Sequence, residues 1–359
     1  MIIHRLVLKE LIWNFIVIIF SMSVILFMEK FVRLTRLFMG KGADLVDIVK
    51  LFLYIQPSLL LLSIPMAILI SIFLTYGRMA TDNETIVMKA SGMSFLGISR
   101  PAIMLATACF VILLFISLYL LPRGTQSFKH TLHETIVKKA SLTFEEGTFS
   151  DTFKDTVIYV KDMYSKDKFR GIFIYQEAGK SLEDPVAIVA ESGEISSNVE
   201  EGLVTISMNN GLIHTFTDGN STEISFAKYD FLLTTSGESM AQAKPDEVKT
   251  IALWKKYNES VFLAVELHRR LSLPFACLIF GILGPAFSSR IGKIGRLGGF
   301  SLSLVILIVY YMLLIMGEGL SKSGTVSPFF GGWIPNMLFG VLAMAVFYYT
   351  YKDKPIRRV

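Results

Sequence analysis

Six stretches of this chain are close to 20 residues long and almost free of charge: roughly 11–28, 51–76, 101–121, 271–288, 300–317 and 332–350. A helix of that length crosses about 30 Å of hydrocarbon, where a backbone must close its hydrogen bonds within itself. The runs therefore predict a polytopic α-helical membrane protein with six transmembrane helices. Composition agrees, since 52% of residues are hydrophobic and only 18% charged, too few charges for a soluble surface. The opening MIIHRLVLKELIWNF is basic and amphipathic and runs into the first apolar stretch without a small-residue cleavage site, so the first helix is expected to be retained. Cys109 and Cys277 both fall inside apolar runs and read as core thiols.

About 150 mostly polar residues separate the third run from the fourth, too many for a loop and enough for a folded insert. Its short β-branched stretches are TVIYV (156–160), GIFIYQ (171–176), PVAIVAES (185–192), LVTISM (203–208), GLIHTFT (211–217) and TEISFAKYDFLLTT (222–235). Turn residues lie between them, notably Asn209-Asn210-Gly211 and Asp218-Gly219-Asn220. Many short strands at near-regular spacing predict a sandwich or roll. Expected boundaries are 1–121 for the first three helices, 122–262 for the insert with its connections, and 263–359 for the last three helices. Lys and Arg flank alternate ends of the runs, which puts both termini in the cytoplasm and the insert outside.

Two local features could carry function. Lys30, Arg33 and Arg36 continue the first helix beyond its apolar run, and at 100° per residue they share an arc of about 120°. Such a cluster can hold an anionic headgroup, arginine in a bidentate manner; snorkelling anchors, with Glu29–Arg33 as a helical ion pair, are the plainer reading. Arg269, Arg270 and Lys322 fall at the same outer level, where Glu318–Lys322 is a ready i,i+4 pair. On the cytoplasmic side, Thr81 and Glu84 have the spacing of a capping box, and Gly92 is a natural stop, which predicts a short helix over 82–91. Its Ile86, Val87 and Met88 can dock into a groove on another protein, or lie on the bilayer as a connector. Gln56, Pro57 and Pro65 interrupt the second run and predict a kink.

No GxxxxGK[ST] loop, GxSxG elbow or Cys/His metal spacing is present, and His133-Glu134 lacks the second histidine of a zinc helix. The runs hold almost no ionisable residue, which weakens an intramembrane-enzyme reading; their deep polar groups are Asn14, Gln56 and hydroxyls. No cofactor and no nucleic-acid partner is expected.

The chain resembles the LptF/LptG permease family, the membrane subunits of the lipopolysaccharide-export ABC transporter of Gram-negative bacteria. The resemblance is sharpest in IIHRLVLKEL, in the block from Pro65 through GRMATDNETIVMKASGMS, and in ELHRRLSLPF (266–275). Lys30, Arg33, ELHRR and the basic C-terminus are most like the F-type subunit. The resemblance implies an inner-membrane permease that extracts lipopolysaccharide and passes it onward through a periplasmic β-jellyroll insert. It implies a heterodimer with a G-type subunit, an LptB-type ATPase dimer acting in trans, and LptC-type and LptA-type periplasmic partners. Helix 82–91 would then be a coupling helix, with Thr81, Glu84, Ile86, Val87, Met88 and Gly92 as its ATPase-coupling residues. Lys30, Arg33 and Lys322 would face the phosphorylated lipid head; Arg270 and Arg36 join that set, Arg36 without a matched family position. The alternative is a non-transporting envelope scaffold anchored by its helices.

Overall fold

A computed structural model describes residues 2–38, 45–138, 146–153, 156–165, 167–177, 185–198, 203–217, 220–234, 244–291 and 295–352. Helices α1 (Ile2–Phe38) and α2 (Leu45–Thr81) are followed by the short α3 (Glu84–Ala90) and by α4 (Phe95–Phe115). A π-helical turn, Ile116–Leu120, joins α4 to α5 (Leu121–Lys138). Six strands follow: β1 (Phe149–Phe153), β2 (Thr156–Met163), β3 (Lys168–Gln176), β4 (Val186–Asn198), β5 (Leu203–Thr217) and β6 (Asn220–Thr234). The chain closes with α6 (Thr250–Lys255), α7 (Val261–Ile291), α8 (Gly295–Lys322) and α9 (Pro328–Lys352). Among the described residues six helical stretches are long and apolar enough to cross a membrane.

The helices outrun their apolar stretches. At 1.5 Å per residue, the 37 residues of α1 span about 55 Å. The expected boundary at 121 falls inside a helix, because α4, the π-helical turn and α5 run on without a break. Pro57 and Pro65 sit inside a continuous α2. The chain divides into two compact units: Met1–Phe31 with Tyr54–Thr125 and Lys244–Val359, and Val32–Leu53 with Gln126–Ala243.

In the first unit α2 and α7 form the interior, 72% and 67% of their apolar windows being buried against 6% for α1. Lipid tails are as apolar as leucine, so hydrophobicity alone does not choose helix neighbours, and close approach and hydrogen bonds must do so. Gly317 and Gly331 let α8 and α9 cross where a Cβ on either would strike the other's backbone. Asn336 on α9 donates to the Ser272 carbonyl on α7 at 2.7 Å and accepts from the Tyr310 hydroxyl on α8 at 2.8 Å. Tyr311 donates to the Leu62 carbonyl of α2 at 3.0 Å, and Tyr76 to the Ile98 carbonyl of α4 at 2.8 Å. Both free cysteines are buried, as their apolar setting predicts.

Arg270 on α7 is fully buried and all five of its N–H groups are taken. Nε bonds Glu266 at 3.0 Å, Nη1 bonds the Val248 carbonyl and Thr250 Oγ1, and Nη2 bonds the Pro245 and Asp246 carbonyls. Thr250 donates onward to the Leu118 carbonyl in the π-helical turn, and Thr125 to the Asp246 carbonyl. This side chain therefore fastens the segment returning from the insert to the helix that leaves for it. Its expected role toward a lipid phosphate is corrected on that ground, because no donor remains to offer.

The insert carries an antiparallel sheet in the order β1-β2-β3-β4-β5-β6, every strand beside its chain neighbour. That is a meander; the two Greek keys of a jellyroll are not found among the described strands. Asn209-Asn210-Gly211, expected as a turn, lies inside β5. Both β4 and β6 pair with β5 on either side of it in unbroken register, Ala190↔Gly211 and Ser192↔Asn209 on one flank, Gly211↔Phe226 and Asn209↔Lys228 on the other. Asn210 itself has φ 53° and takes no ladder pairing. Gly171 on β3, with φ 76°, is likewise skipped. Lys161, Gly171, Glu191, Asn210 and Ala227 thus form one unpaired row across five strands. The inward positions change parity at this row: Ile158 and Val160 give way to Met163, Ile174 and Ile172 to Phe169, Ile188 and Ala190 to Ile195. On β5 Ile206 and Met208 give way to Ile213, and on β6 Phe226 to Phe231. Two of the five row residues, Gly171 and Asn210, have positive φ, and across the row the inward alternation is reset on every strand while the pairing register stays unbroken, so the same face stays inward on both sides. The roll is approached by creasing one sheet. At the next hairpin Thr217 pairs with Asn220, which fits the expected turn, although residues 218–219 lie outside the described set.

Two measurements check these features. Asn210→Gly is expected to be tolerated within about 0.5 kcal/mol, whereas Asn210→Val costs about 1–3 kcal/mol because a β-branched residue resists positive φ; hydrogen exchange of β4 and β5 amides reads the difference. Arg270→Met leaves the Val248 and Pro245 carbonyls without its donors and half-frees buried Glu266, an expected loss of about 3–5 kcal/mol; Arg270→Met with Glu266→Leu is expected to recover the part due to the carboxylate and not the part due to the carbonyls, read as thermal unfolding in detergent.

Candidate functional site

At the end of the bundle where α1 begins, α2 stops and α3 turns away, one guanidinium gathers three carboxylates. Arg78 on α2 binds Glu10 of α1 in bidentate fashion, Nε to Oε1 and Nη2 to Oε2, both at 2.8 Å. Nη1 bonds Asp82 at 2.9 Å and Glu84 at 2.6 Å, and Nη2 reaches the second Glu84 oxygen at 3.3 Å. The Arg78 side chain is 20% exposed, so these bonds are partly shielded from water and stronger than surface ion pairs. Next to it Asn14 donates to Thr75 Oγ1 at 2.9 Å, a second polar link from α1 to α2.

The expected capping box does not form. Asn83, at φ 58°, is the N-cap of α3 and makes no side-chain cap bond. Thr81 instead donates to the Gly77 carbonyl at 3.0 Å and accepts from the Gly295 N–H, at the start of α8, at 3.1 Å. Thr81 is the last residue of α2 and not the N-cap of α3, so the box has no frame in which to form, and the Glu84 carboxylate goes to Arg78. α3 is consequently shorter than 82–91. Its end fits the expectation: Gly92 adopts φ 86°, its N–H bonds the Lys89 carbonyl, and the Met93 N–H bonds the Met88 carbonyl, the two bonds of a Schellman stop. The residues expected to face a partner divide between two directions. Ile86 and Val87 are 61% and 65% exposed, while Thr85 is buried and Met88 packs against the bundle core.

The basic residues expected at the outer membrane face are only partly described. Lys30 is half-buried on α1, which continues as one helix through Arg33 and Arg36 to Phe38; the side chains of Arg33 and Arg36 lie outside the described residues. Glu318 on α8 sits 3.8 Å from Lys322 and 3.7 Å from Arg269 of α7, which in turn approaches Glu266 at 3.6 Å. The expected Glu318–Lys322 pair is present, and Arg269 extends it into a link between two helices. His268, one residue earlier, accepts the Trp333 indole N–H at Nδ1, 3.3 Å, and lies 3.1 Å from the Tyr257 hydroxyl at Nε2. Helix α7 starts ten residues before its apolar run, so these ionisable groups stand inside a candidate span that the sequence reading treated as nearly empty.

Sequence reasoning missed Glu10, Asp82 and Glu266 and counted Arg78 only as a charge of orientation. A signal existed: Glu10 is an acid in a basic, apolar opening and needs a cation, and Arg78 closes an uncharged run. Among the described residues no group of three or more His, Cys, Asp or Glu could hold a metal ion.

Comparison with known proteins gives this geometry its setting. The chain is 20% identical to the lipopolysaccharide export system permease protein LptF of Escherichia coli K12 over 364 residues, covering 100% of this chain and 97% of that one. The same identity and coverage hold for LptF of Shigella flexneri. An uncharacterized protein of Rickettsia prowazekii is 23% identical over 219 residues, 61% of this chain and 59% of that protein. The model of the family described as lipopolysaccharide export system permease LptF/LptG matches residues 5–349. With nearly its whole length matched, the chain belongs to the LptF/LptG family of lipopolysaccharide export permeases.

Proposed function

We propose that this chain is the F-type permease subunit of an ABC exporter in the bacterial inner membrane, with α3 cytoplasmic and the sheet periplasmic. The observation that carries the reading is α3 itself. It is a seven-residue helix held to the bundle by Glu84 and Met88 while Ile86 and Val87 project outward. Two adjacent exposed aliphatic side chains on a braced helix suit an apolar groove on a separate ATPase dimer. Thr81, Glu84 and Gly92 set the posture of that ridge.

Lipopolysaccharide enters laterally beside α1 and α8, whose apolar flanks include exposed Phe20, Ile25, Ile308 and Ile315. A G-type subunit supplies the opposing helices. Lys30, Arg33 and Lys322 meet the lipid phosphates, and Arg36 extends the same side of α1. Closure of the ATPase dimer moves α3, the cavity narrows, and the lipid passes to the sheet. Strand β6 is 15 residues long and, among the described strands, pairs on one side only, with β5. An edge of that length supports strand addition by LptC-type and LptA-type periplasmic partners.

The test is co-purification from detergent with the other envelope proteins co-expressed. An ATPase subunit is expected to accompany the wild-type chain and to be lost at least roughly tenfold from Ile86→Asp with Val87→Asp, since a carboxylate buried in an apolar groove costs well over 1.4 kcal/mol. A folded, monodisperse wild-type chain that never brings down an ATPase would overturn the reading in favour of an anchored scaffold.

A further inference from the structure

We propose that Arg78 is a positioning residue through which α3 controls α1, with Glu84 as its input and Glu10 as its output. The inference rests on the export reading given above, but it concerns contacts inside this chain. Of the six candidate spans α1 is the least embedded, at 6% of its window. Its described polar links to the bundle at this end are the bidentate Glu10–Arg78 pair and the Asn14–Thr75 bond. Glu84, on the helix offered to the ATPase, meets the same guanidinium from the other side.

A guanidinium is planar and rigid, with its five N–H groups in a fixed fork. All five are committed here: Nε and one Nη2 proton to Glu10, one Nη1 and one Nη2 proton to Glu84, and the second Nη1 proton to Asp82. Rotation of the fork to follow Glu84 therefore turns the face that Glu10 reads. Asp82 is the most exposed of the three carboxylates, at 50%, and belongs to the turn between α2 and α3, so it steadies the fork without linking it to another span. Thr81 adds a route to α8 through the Gly295 N–H. The two helices proposed to bound lipid entry are thereby tied to one stretch of chain, residues 78–84. Glu84 acts inward as well as being part of the ATPase-facing helix, and it reaches α1 without touching it.

The experiment uses spin labels at Trp13→Cys on α1 and Ile308→Cys on α8, both sites exposed, in a chain whose own two cysteines are buried. In nanodiscs without ATPase, Glu84→Gln is expected to shift or broaden the α1–α8 distance distribution by about 1–2 Å or more, the scale of helix movements at interfaces. Glu10→Gln is expected to give the same altered distribution, and Glu10→Asp, which keeps the charge, one closer to wild type. An unchanged distribution in Glu84→Gln overturns the proposal.

In the reconstituted exporter, lipid released per ATP hydrolysed should fall several-fold in Glu10→Gln and in Glu84→Gln. The double variant should be no worse than the poorer single one, because both cut the same chain of contacts. Losses that multiply, or a wild-type ratio in Glu10→Gln, also overturn it. A wild-type complex that releases no lipid with ATP defeats the export reading instead, and the label distances still decide the coupling.

Discussion

A helix in hydrocarbon has already satisfied its own backbone, and its side chains gain nothing by exchanging lipid for another helix of equal apolarity. The arrangement of this bundle therefore depends on the few polar groups and small residues that find partners. The Tyr310–Asn336–Ser272 chain fixes α8, α9 and α7 together. Tyr311 and Tyr76 bring α8 and α4 to α2. Gly317 and Gly331 make the closest crossing possible. Among the six candidate spans α1 is the least embedded, and its polar links at the end where it begins are Glu10–Arg78 and Asn14–Thr75.

Charge is concentrated where spans meet connections, and it is spent on holding rather than on chemistry. Arg270 satisfies three carbonyls of a segment that has no helix or strand to pair with. Arg78 performs the equivalent task for three carboxylates contributed by α1, α3 and the turn before α3. A buried arginine such as Arg270 is tolerable only when every donor is used, and Arg78, which is partly exposed, has all five of its donors used as well. A permease that must change shape benefits from joints of this kind, since a planar cation can keep its bonds while swinging.

The existence of the six spans was legible because 20 apolar residues admit few alternatives. Their ends were not, because residues 2–10, 29–38 and 261–270 carry charges that break the apolar runs yet continue as helix. Residues 203–217 read as two strands around a turn, since Asn-Asn-Gly usually reverses a chain. Long-range pairing with β4 and β6 overrode that local preference. Of the candidate site, Gly92 and the Glu318–Lys322 pair could be read from spacing alone. Arg270 looked like a free cation at a membrane edge, and only the fold of residues 245–250 around it reveals otherwise. The Thr81–Glu84 spacing suggested a cap because nothing local shows that α2 runs on to Thr81, or that Glu84 joins an Arg78 whose bond to Glu10 spans 68 positions.

The crease across the insert has a consequence for how such sequences can drift. On each of five strands one residue sits at the row, and inward positions are counted separately from it in both directions. Deleting a single residue from the middle of β4 would turn one half of that strand inside out and leave its neighbours unmatched. Gains and losses of length are thereby confined to the hairpin tips, and the distance from tip to crease becomes an inherited constant. Relatives that have lost nearly all residue identity with this chain should still agree in that spacing.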